Sequence, residues 1–587
     1  MKIPYIPEDA PFNTDQRAWL GGFLAGLHSR LAIAADASVA TGSAAGAKTE
    51  PLFILYGTQT GNAERVAMDA AATAQAMGLT AEVAGLDDIG MERLATMRRL
   101  IVVTSTYGEG EMPDNAQLFW DALSASTAPR LEDLRFAVLA LGDTGYDGFC
   151  QAGKLIDMRL EQLGASRILP RRDCDIDYED PANAWIAEAL PLTAPDDGAG
   201  GTPAALPRAM ASPARQATGW SRKNPYAARL AINRRLSGST SAKEIRHYEF
   251  DLGDSGLQYE AGDALGVLPV NDPALVRLLL TRLGADPDMS VGDTSLGALL
   301  TTGLEISTPP RDLIAEVERR AGNEELTHLL RNGDKEALDA FLWGKDICDL
   351  VALAPPSSFS ADDILPLLKP LQHRAYSISS SPHAAGGHVH LTVASVRYHA
   401  DGRDRGGVCS TFLADRAAQD GAAGIFVSQN KSFRLPADND TPVIMVGPGT
   451  GIAPFRAFLQ ERQARGARGR NWLFFGDQHR DSDFIYQDEL AEMSRDGLLS
   501  RLDLAFSRDQ QEKIYVQTRM RENGKALFDW LQQGAFFYVC GDASRMARDV
   551  DAALADIVAT HGNLTQEKAS DFIAGLKREK RYLRDVY

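Results

Sequence analysis

Cysteine is scarce. The 587 residues carry five, Cys150, Cys174, Cys348, Cys409 and Cys540, and no two lie close enough to read as a pair. Such scatter fits a reducing compartment, the cytoplasm, and excludes a cysteine-ligated iron–sulfur cluster or zinc site inside the chain, so no metal is expected. Long apolar runs are missing too. Nothing approaches the roughly 20 residues that cross a bilayer, so no membrane segment is expected. Trp19–Leu27 is apolar but short and glycine-rich, no basic cluster precedes it, and Asn13 with Gln16 reads as a capping box. It reads as a surface helix suited to docking on another subunit, a route to a homo-oligomer, and not as a signal peptide. Positive charge is in deficit, with 61 Lys and Arg against 79 Asp and Glu. A net charge of −18 argues against non-specific binding to nucleic acid or to an anionic membrane.

What is present begins with Tyr56-Gly57-Thr58-Gln59-Thr60-Gly61-Asn62, between an apolar strand (Leu52–Leu55) and a segment of helical spacing. A Thr/Gly-rich turn there offers N–H groups and hydroxyls to a phosphate at the helix's positive end. It lacks the Lys of a nucleotide-hydrolysing P-loop, so a phosphate monoester held by neutral donors, as in FMN, fits best. Two further loops follow buried strands, Ser105-Thr106-Tyr107-Gly108-Glu109-Gly110 and Leu141-Gly142-Asp143-Thr144-Gly145-Tyr146. Open α/β sheets bind ligands at such strand ends. Tyr107 and Tyr146 are placed to sandwich a flat ring. Residues 51–191 thus read as a flavodoxin-like FMN domain. This region holds 22 acidic and 11 basic residues, a net of −11, a charge suited to docking on basic partner surfaces.

Residues 1–50 read as the N-terminal helix plus an Ala/Ser/Gly-rich linker, and 192–218 as a second linker of Pro, Gly, Ala and Ser. From 219 to 438 short alternating strands suit an antiparallel barrel, interrupted by a helical insertion at about 272–368. Asp272-Pro273 caps Ala274–Leu283, Pro309-Pro310 precedes Arg311–Ala321, and Ser360–Asp363 precedes an expected helix over Ile364–Leu368. Where strands resume, Arg374 suits a pyrophosphate, Tyr376 a flavin ring and Ser377 its N5. The glycine turn Gly406-Gly407-Val408-Cys409-Ser410 offers N–H groups to the same pyrophosphate, which is the pattern of FAD.

From 439 to 587 buried strands alternate with helices, as in a parallel sheet. Val446-Gly447-Pro448-Gly449-Thr450-Gly451 is a strand–turn–helix, not a Gly-x-Gly-x-x-Gly fingerprint, yet it lets a dinucleotide approach the backbone. Ser507 and Arg508, with Lys513 and Tyr515 close behind, suit an adenosine 2′-phosphate, so NADPH is expected over NADH. Cys540 ends an apolar strand where nicotinamide should sit. Directly after a helix, the chain closes on Asp585-Val586-Tyr587, a ring suited to covering a cofactor.

Taken in order, these motifs resemble the diflavin reductase family from residue 51 to the end. Phe433-Arg434-Leu435-Pro436, Asn471–Gly476, the Asp-Val-Tyr ending and the N-terminal helix are most similar to its branch serving NADPH-dependent assimilatory sulfite reduction. Tyr107 stands where bacterial members of that branch often carry Gln. The resemblance implies FMN at Thr58, Gln59, Thr60, Gly61, Asn62, Thr106, Tyr107, Gly108, Gly110, Leu141, Gly142, Asp143 and Tyr146. It implies FAD at Arg374, Tyr376, Ser377, Tyr398 (on the adenine), Gly407, Val408, Cys409 and Ser410. NADPH falls to Gly449, Thr450, Ser507, Arg508, Lys513, Tyr515 and Gln517. By the same resemblance, Tyr587 is implied to cover the isoalloxazine until nicotinamide displaces it, and Ser377, Cys540 and Asp585 to surround the hydride path. The implied activity passes electrons from NADPH to FAD to FMN to a sirohaem and iron–sulfur haemoprotein subunit, which reduces sulfite to sulfide. Two alternatives stay open: a free-standing reductase for a monooxygenase or other acceptor, and a non-catalytic flavin-binding scaffold.

Overall fold

The computed structural model describes residues 51–194 and 219–587, apart from Thr60, Glu109, Gly145, Asp147 and 418–420. The expected N-terminal helix and linker over 1–50, the second expected linker beyond residue 194, and Thr60 therefore lie outside the described residues. Strands buried on both faces must be covered by helices, which favours parallel pairing. The first region shows this. Strands β1 (Leu52–Gly57), β2 (Ala81–Gly85), β3 (Arg99–Ser105), β4 (Arg135–Leu141) and β5 (Ser166–Arg167) form a parallel sheet in the order β2-β1-β3-β4-β5. A short strand, β6 (Arg172–Cys174), also pairs with β4. Helices α1 (Asn62–Ala76), α2 (Asp114–Ser124), α3 (Gln151–Gln162) and α4 (Glu179–Leu192) cover the sheet, with α1 and α4 on one face and α2 and α3 on the other. The strand order reverses between β1 and β3, and such a switch point opens a crevice at the carboxyl ends of the strands. Gly57 sits beside Thr104, and Ser105 beside Leu141, so the three ligand-type loops emerge level.

Antiparallel pairing dominates the second region. Strands β7 (Tyr226–Arg235), β8 (Glu244–Asp251) and β9 (Ala264–Leu268) precede helices α5 (Pro273–Leu283) and α6 (Arg311–Ala321). Then come β10 (Arg374–Ser377), β11 (His388–Ser395), the hairpin β12 (Arg397–Ala400) and β13 (Arg403–Gly406), and β14 (Ala423–Ser428). The sheet runs β10-β9-β14-β7-β8-β11, and an isolated bridge between Ile378 and Leu391 joins its two edges. Asp272 caps α5 by accepting from the Ala274 N–H at 2.7 Å. One helix differs from expectation. Ser360 and Asp363 form a reciprocal cap on Ala361–Ile364, and the segment then tightens into a 3-10 turn over Leu365–Leu367. Pro366 has no N–H with which to continue an α-helix over Ile364–Leu368.

The third region is a parallel sheet. It comprises β15 (Val443–Val446), β16 (Asn471–Asp477), β17 (Arg501–Phe506), β18 (Phe536–Gly541) and β19 (Tyr582–Val586), ordered β17-β16-β15-β18-β19. Helix α7 (Ala453–Ala464) follows β15, and α8 (Met546–Gly562) follows β18. β19 was not anticipated: the ending was expected directly after a helix. Tyr582 and Val586 bury against the sheet while Arg584 and Asp585 between them break the apolar pattern that announces a strand. Among the described residues no helix is long and apolar enough to cross a membrane.

Candidate functional sites on three strand-end clusters

In the first cluster, Gly61 caps α1 at φ 85° with no side-chain cap, and a helix start of this kind suits an anion. Thr58 braces the turn: its Oγ1 accepts from the Gly61 N–H at 2.9 Å and its N–H donates to Asn115 Oδ1 at 2.6 Å. Gln59 accepts from the Asp114 N–H at 2.9 Å, and Asn62 begins α1. Thr106 Oγ1 accepts from the Ala152 N–H at 3.2 Å. Gly108 has φ 55°, and a Cβ there would lie 2.3 Å from the Glu111 carboxylate. Gly142 is equally confined, since its Cβ would lie 2.8 Å from the Cys150 nitrogen. Leu141 ends β4, Asp143 and Gly110 lie in the loops beside it, and Tyr146 is half exposed. Tyr107 donates its hydroxyl to the Val586 carbonyl at 2.7 Å and packs against the hydrophobic core of the third region, so it is used between regions. Burial pushes its phenol up to about 12.

The second cluster surrounds a cavity of about 420 Å³. Arg374, Tyr376, Tyr398, Gly407, Val408, Cys409 and Ser410 all line it. Arg374 already has protein partners: Nη1 donates to the Gln372 carbonyl at 2.9 Å, and Nη2 lies 3.3 Å from Glu305. Gly407 leaves no room for a side chain, because its Cβ would lie 2.8 Å from Ser410 Oγ. Cys409 points its sulfur into the core near the Val267 carbonyl, so only its backbone can serve a ligand. Tyr398 lies against Trp343, with ring centroids 5.4 Å apart.

The third cluster lines a cavity of about 630 Å³ that brings together Gly449, Thr450, Ser507, Arg508, Lys513, Tyr515, Gln517 and Tyr587. Local sequence did not announce Lys243, Asp477, Asp542 and Arg545, which also line it. Lys243 arrives from the β7–β8 loop and pairs with Asp477 Oδ1 at 2.6 Å. Asp542 accepts from the Arg545 and Met546 N–H groups at 2.7 and 3.0 Å, so the start of α8 is closed to an anion by its own carboxylate. The cations lining the cavity are Arg508, Lys513, Arg545 and Lys243.

Between the second and third clusters, Ser377 Oγ donates to Asp585 Oδ2 at 2.5 Å, and Cys540 Sγ is 3.9 Å from the same oxygen. Parallel pairing sets Cys540 beside Asp585. Burial raises the Asp585 carboxyl above its ordinary range, and burial followed by the Asp585 charge raises the Cys540 thiol. Cys540 is fully buried. Tyr587 is held at the backbone by Gly541 and Ala543 and at its hydroxyl by Thr450, 2.8 Å away, and the residue as a whole is exposed.

Among the described residues, one group has metal-ligand residue types, His247, Glu249 and His390. Its hydrogen bonds close without an ion. Arg456 Nη1 lies 3.3 Å from His390 Nδ1, which must therefore accept, and the His390 proton stays on Nε2 facing Glu249.

Three family models match in series: Flavodoxin over residues 54–185, FAD binding domain over 219–412, and Oxidoreductase NAD-binding domain over 445–552. The chain is 44% identical to the sulfite reductase (NADPH) flavoprotein alpha-component of Bacillus subtilis (strain 168), over 97% of this chain and 95% of that protein. Its counterpart in Yersinia enterocolitica is 43% identical over 98% and 96%, and that of Mannheimia succiniciproducens 44% over 98% and 97%. The chain belongs to the sulfite reductase (NADPH) flavoprotein alpha-component family. As a member, it carries FMN in the flavodoxin domain, FAD in the FAD-binding domain and NADPH in the NAD-binding domain. Neutral donors at the first cluster, one guanidinium at the second and several cations at the third fit those three groups in turn. Asp114, Asn115 and Arg584 around the FMN loops, and Glu305 at the FAD cavity, were missed because their roles depend on residues tens to hundreds of positions away.

Proposed function

We propose that this chain takes electrons from NADPH and delivers them singly to a haemoprotein subunit that reduces sulfite to sulfide. Bound FAD and FMN supply the exchange between a two-electron hydride donor and a one-electron acceptor. The chain's own residues bind, orient and gate. Arg508, Lys513, Ser507 and Tyr515 would take the 2′-phosphate, with Gln517 beside them, and Gly449 and Thr450 would admit the dinucleotide backbone. Arg374 and the Gly407–Ser410 turn would take the FAD pyrophosphate, with Tyr376 and Tyr398 on its rings. Thr58–Asn62, Thr106–Gly110 and Leu141–Tyr146 would hold FMN. Tyr587 excludes water from the hydride path until it is displaced, and Ser377 and Asp585 hold a proton beside Cys540.

The observation that carries the reading is the junction of Ser377, Cys540, Asp585 and Tyr587. It joins the FAD cavity to a cation-lined nucleotide cavity. A separate haemoprotein is supported by the relatives' designation as an alpha-component and by the cysteines, all five buried and on separate elements. The domains are read as 51–191, 219–438 with the insertion at 272–368, and 439–587, flanked by 1–50 and 192–218. The Ile378–Leu391 bridge supports a closed barrel in the second. Assembly through the N-terminal region and a cytoplasmic location complete the proposal. Purified alone, the protein should reduce cytochrome c with NADPH but not reduce sulfite, and sulfite turnover should appear when the haemoprotein is added. Sulfite reduction by the isolated chain would overturn the division of labour.

A further inference from the structure

Strand β19 presents its residues alternately to two sides. Asp585 turns to Ser377 and Cys540, and Tyr587 follows beside the nucleotide cavity. Arg584 turns the other way and forks onto Asp114: Nε lies 3.1 Å from Oδ2, and Nη2 bonds Oδ1. The third nitrogen, Nη1, is 3.3 Å from Asp551 of α8, which holds the guanidinium from behind. Asp114 opens α2, and its N–H and carboxylate are both tied to Gln59 in the first FMN loop. Two residues along from Arg584, the Val586 carbonyl accepts the Tyr107 hydroxyl from the second FMN loop. The side chains of Arg584 and Asp114 are 22% and 29% exposed. A bidentate, partly desolvated pair of this kind fixes orientation as well as proximity. Of the other ion pairs across the same divide, Lys580–Asp88 and Lys431–Glu64 are looser at 3.7 Å, while Arg222 pairs closely with Asp177, whose side chain is 65% exposed, and lies 3.4 Å from Glu179.

We propose that Arg584 is a positioning residue that seats the FMN loops, through Asp114, on the strand whose opposite side carries Asp585 and Tyr587. The seat fixes the gap that electrons cross on leaving the FAD site. The inference rests on the function proposed above. Each NADPH becomes NADP+ by giving up a hydride, two electrons with one proton. The two electrons cross the seat one at a time, so two molecules of cytochrome c are reduced per NADPH.

The test uses the full-length, flavin-loaded protein with Arg584→Gln, Asp114→Asn, the double neutral variant, and the exchange pair Arg584→Asp with Asp114→Arg. Small-angle scattering reads how far the FMN domain stands from the rest, and cytochrome c reduction at saturating NADPH reads delivery. Arg584→Gln should lower the docked fraction about fivefold, widening the radius of gyration at low salt to what the parent shows only at high salt. Cytochrome c reduction should fall by the same factor while NADPH still bleaches the first flavin at the parent rate. The double neutral variant should be no worse than either single one, and the exchange pair should restore compactness. Unchanged scattering in Arg584→Gln, or additive losses in the double variant, would overturn the seat. If NADPH bleaches neither flavin in the parent, the proposed function fails, and scattering still judges the seat by itself.

Discussion

In the function proposed here, the FMN turn and the 2′-phosphate cluster would meet the same kind of group with opposite chemistry. Thr58–Asn62 offers backbone dipoles and hydroxyls inside a region that carries 22 acidic and 11 basic residues. Ser507–Tyr515 offers a guanidinium, an ammonium and two hydroxyls, with Lys243 opposite. A resident cofactor can be gripped by preorganised neutral groups, which leave the domain's long-range field negative and fit for a basic partner. A nucleotide that must enter and leave many times is better served by cations, which steer it inward and select the extra phosphate. Residency and traffic therefore call for different donors.

The most severe way to break the comparison is to fill the NADPH turn from below. A Cβ on Gly451 would lie 2.2 Å from the Cys540 carbonyl oxygen, which belongs to the backbone of β18 and has little freedom to retreat. Gly451→Ala should abolish NADPH-driven flavin reduction, by at least about 100-fold, or about 3 kcal/mol, while FMN content stays at one per chain. Rapid-mixing absorbance with flavin counting checks this, and loss of FMN in step with NADPH use would show the two sites are not separable. Arg508→Ala comes next. It should raise the NADPH KM about 50-fold, roughly 2 kcal/mol, and leave the NADH KM within about twofold, because only NADPH presents the 2′-phosphate. Equal changes in steady-state kinetics would move the phosphate elsewhere.

Acid should separate the two halves by sign. Burial, with Arg456 adding to it, lowers His247 to about 3, and His390 also falls to about 3, chiefly through burial. Their folded values lie below the unfolded value near 6.5, so their stabilisation is full above pH 6.5 and drains as pH falls toward 3, by about 1.4 kcal/mol per pH unit for each. No histidine occurs between residues 51 and 191. There burial raises Asp87 to about 6, so its contribution is present below pH 3.8 and lost as pH rises through 6. Between pH 6.5 and 4.5 the FAD–NADPH half should lose stability while the FMN half holds or gains. Calorimetry at several pH values should resolve two transitions moving apart, and parallel shifts would refute the contrast.

The contrast itself was legible in the chain because both clusters are local. Thr58 to Gly61 span a few residues, as do Ser507 to Tyr515, and strand–turn–helix periodicity marks each. The same periodicity announced parallel sheets in the first and third regions, but not their strand orders. Long-range partners were not legible: Lys243 reaches Asp477 across 234 positions, and Asp114 meets Arg584 across 470. Nothing near Asp114 announces a basic partner, since Asp, Asn and Pro before a helix ordinarily mean a cap. β19 escaped for a related reason. Its two charged residues are satisfied one on each side, by Asp114 and by Ser377, and pairing with β18 supplies what its own pattern lacks.

The smallest effect is the most discriminating. Thr58→Ala removes a hydroxyl that accepts the Gly61 N–H at 2.9 Å, leaving that donor to find water or phosphate. No charge is lost, so the cost is that of one neutral hydrogen bond, about 1 kcal/mol, or about fivefold in FMN affinity. It should also be insensitive to salt, because no ion pair is involved. Weakening the 2′-phosphate grip through Arg508→Ala should instead flatten the salt dependence of the NADPH KM. Titrating FMN into flavin-stripped protein at two ionic strengths, beside NADPH kinetics at the same two, compares the slopes directly. If FMN binding by the parent weakens with salt as steeply as NADPH binding does, the neutral-donor account of the first site is wrong, and an unrecognised cation must hold the FMN phosphate.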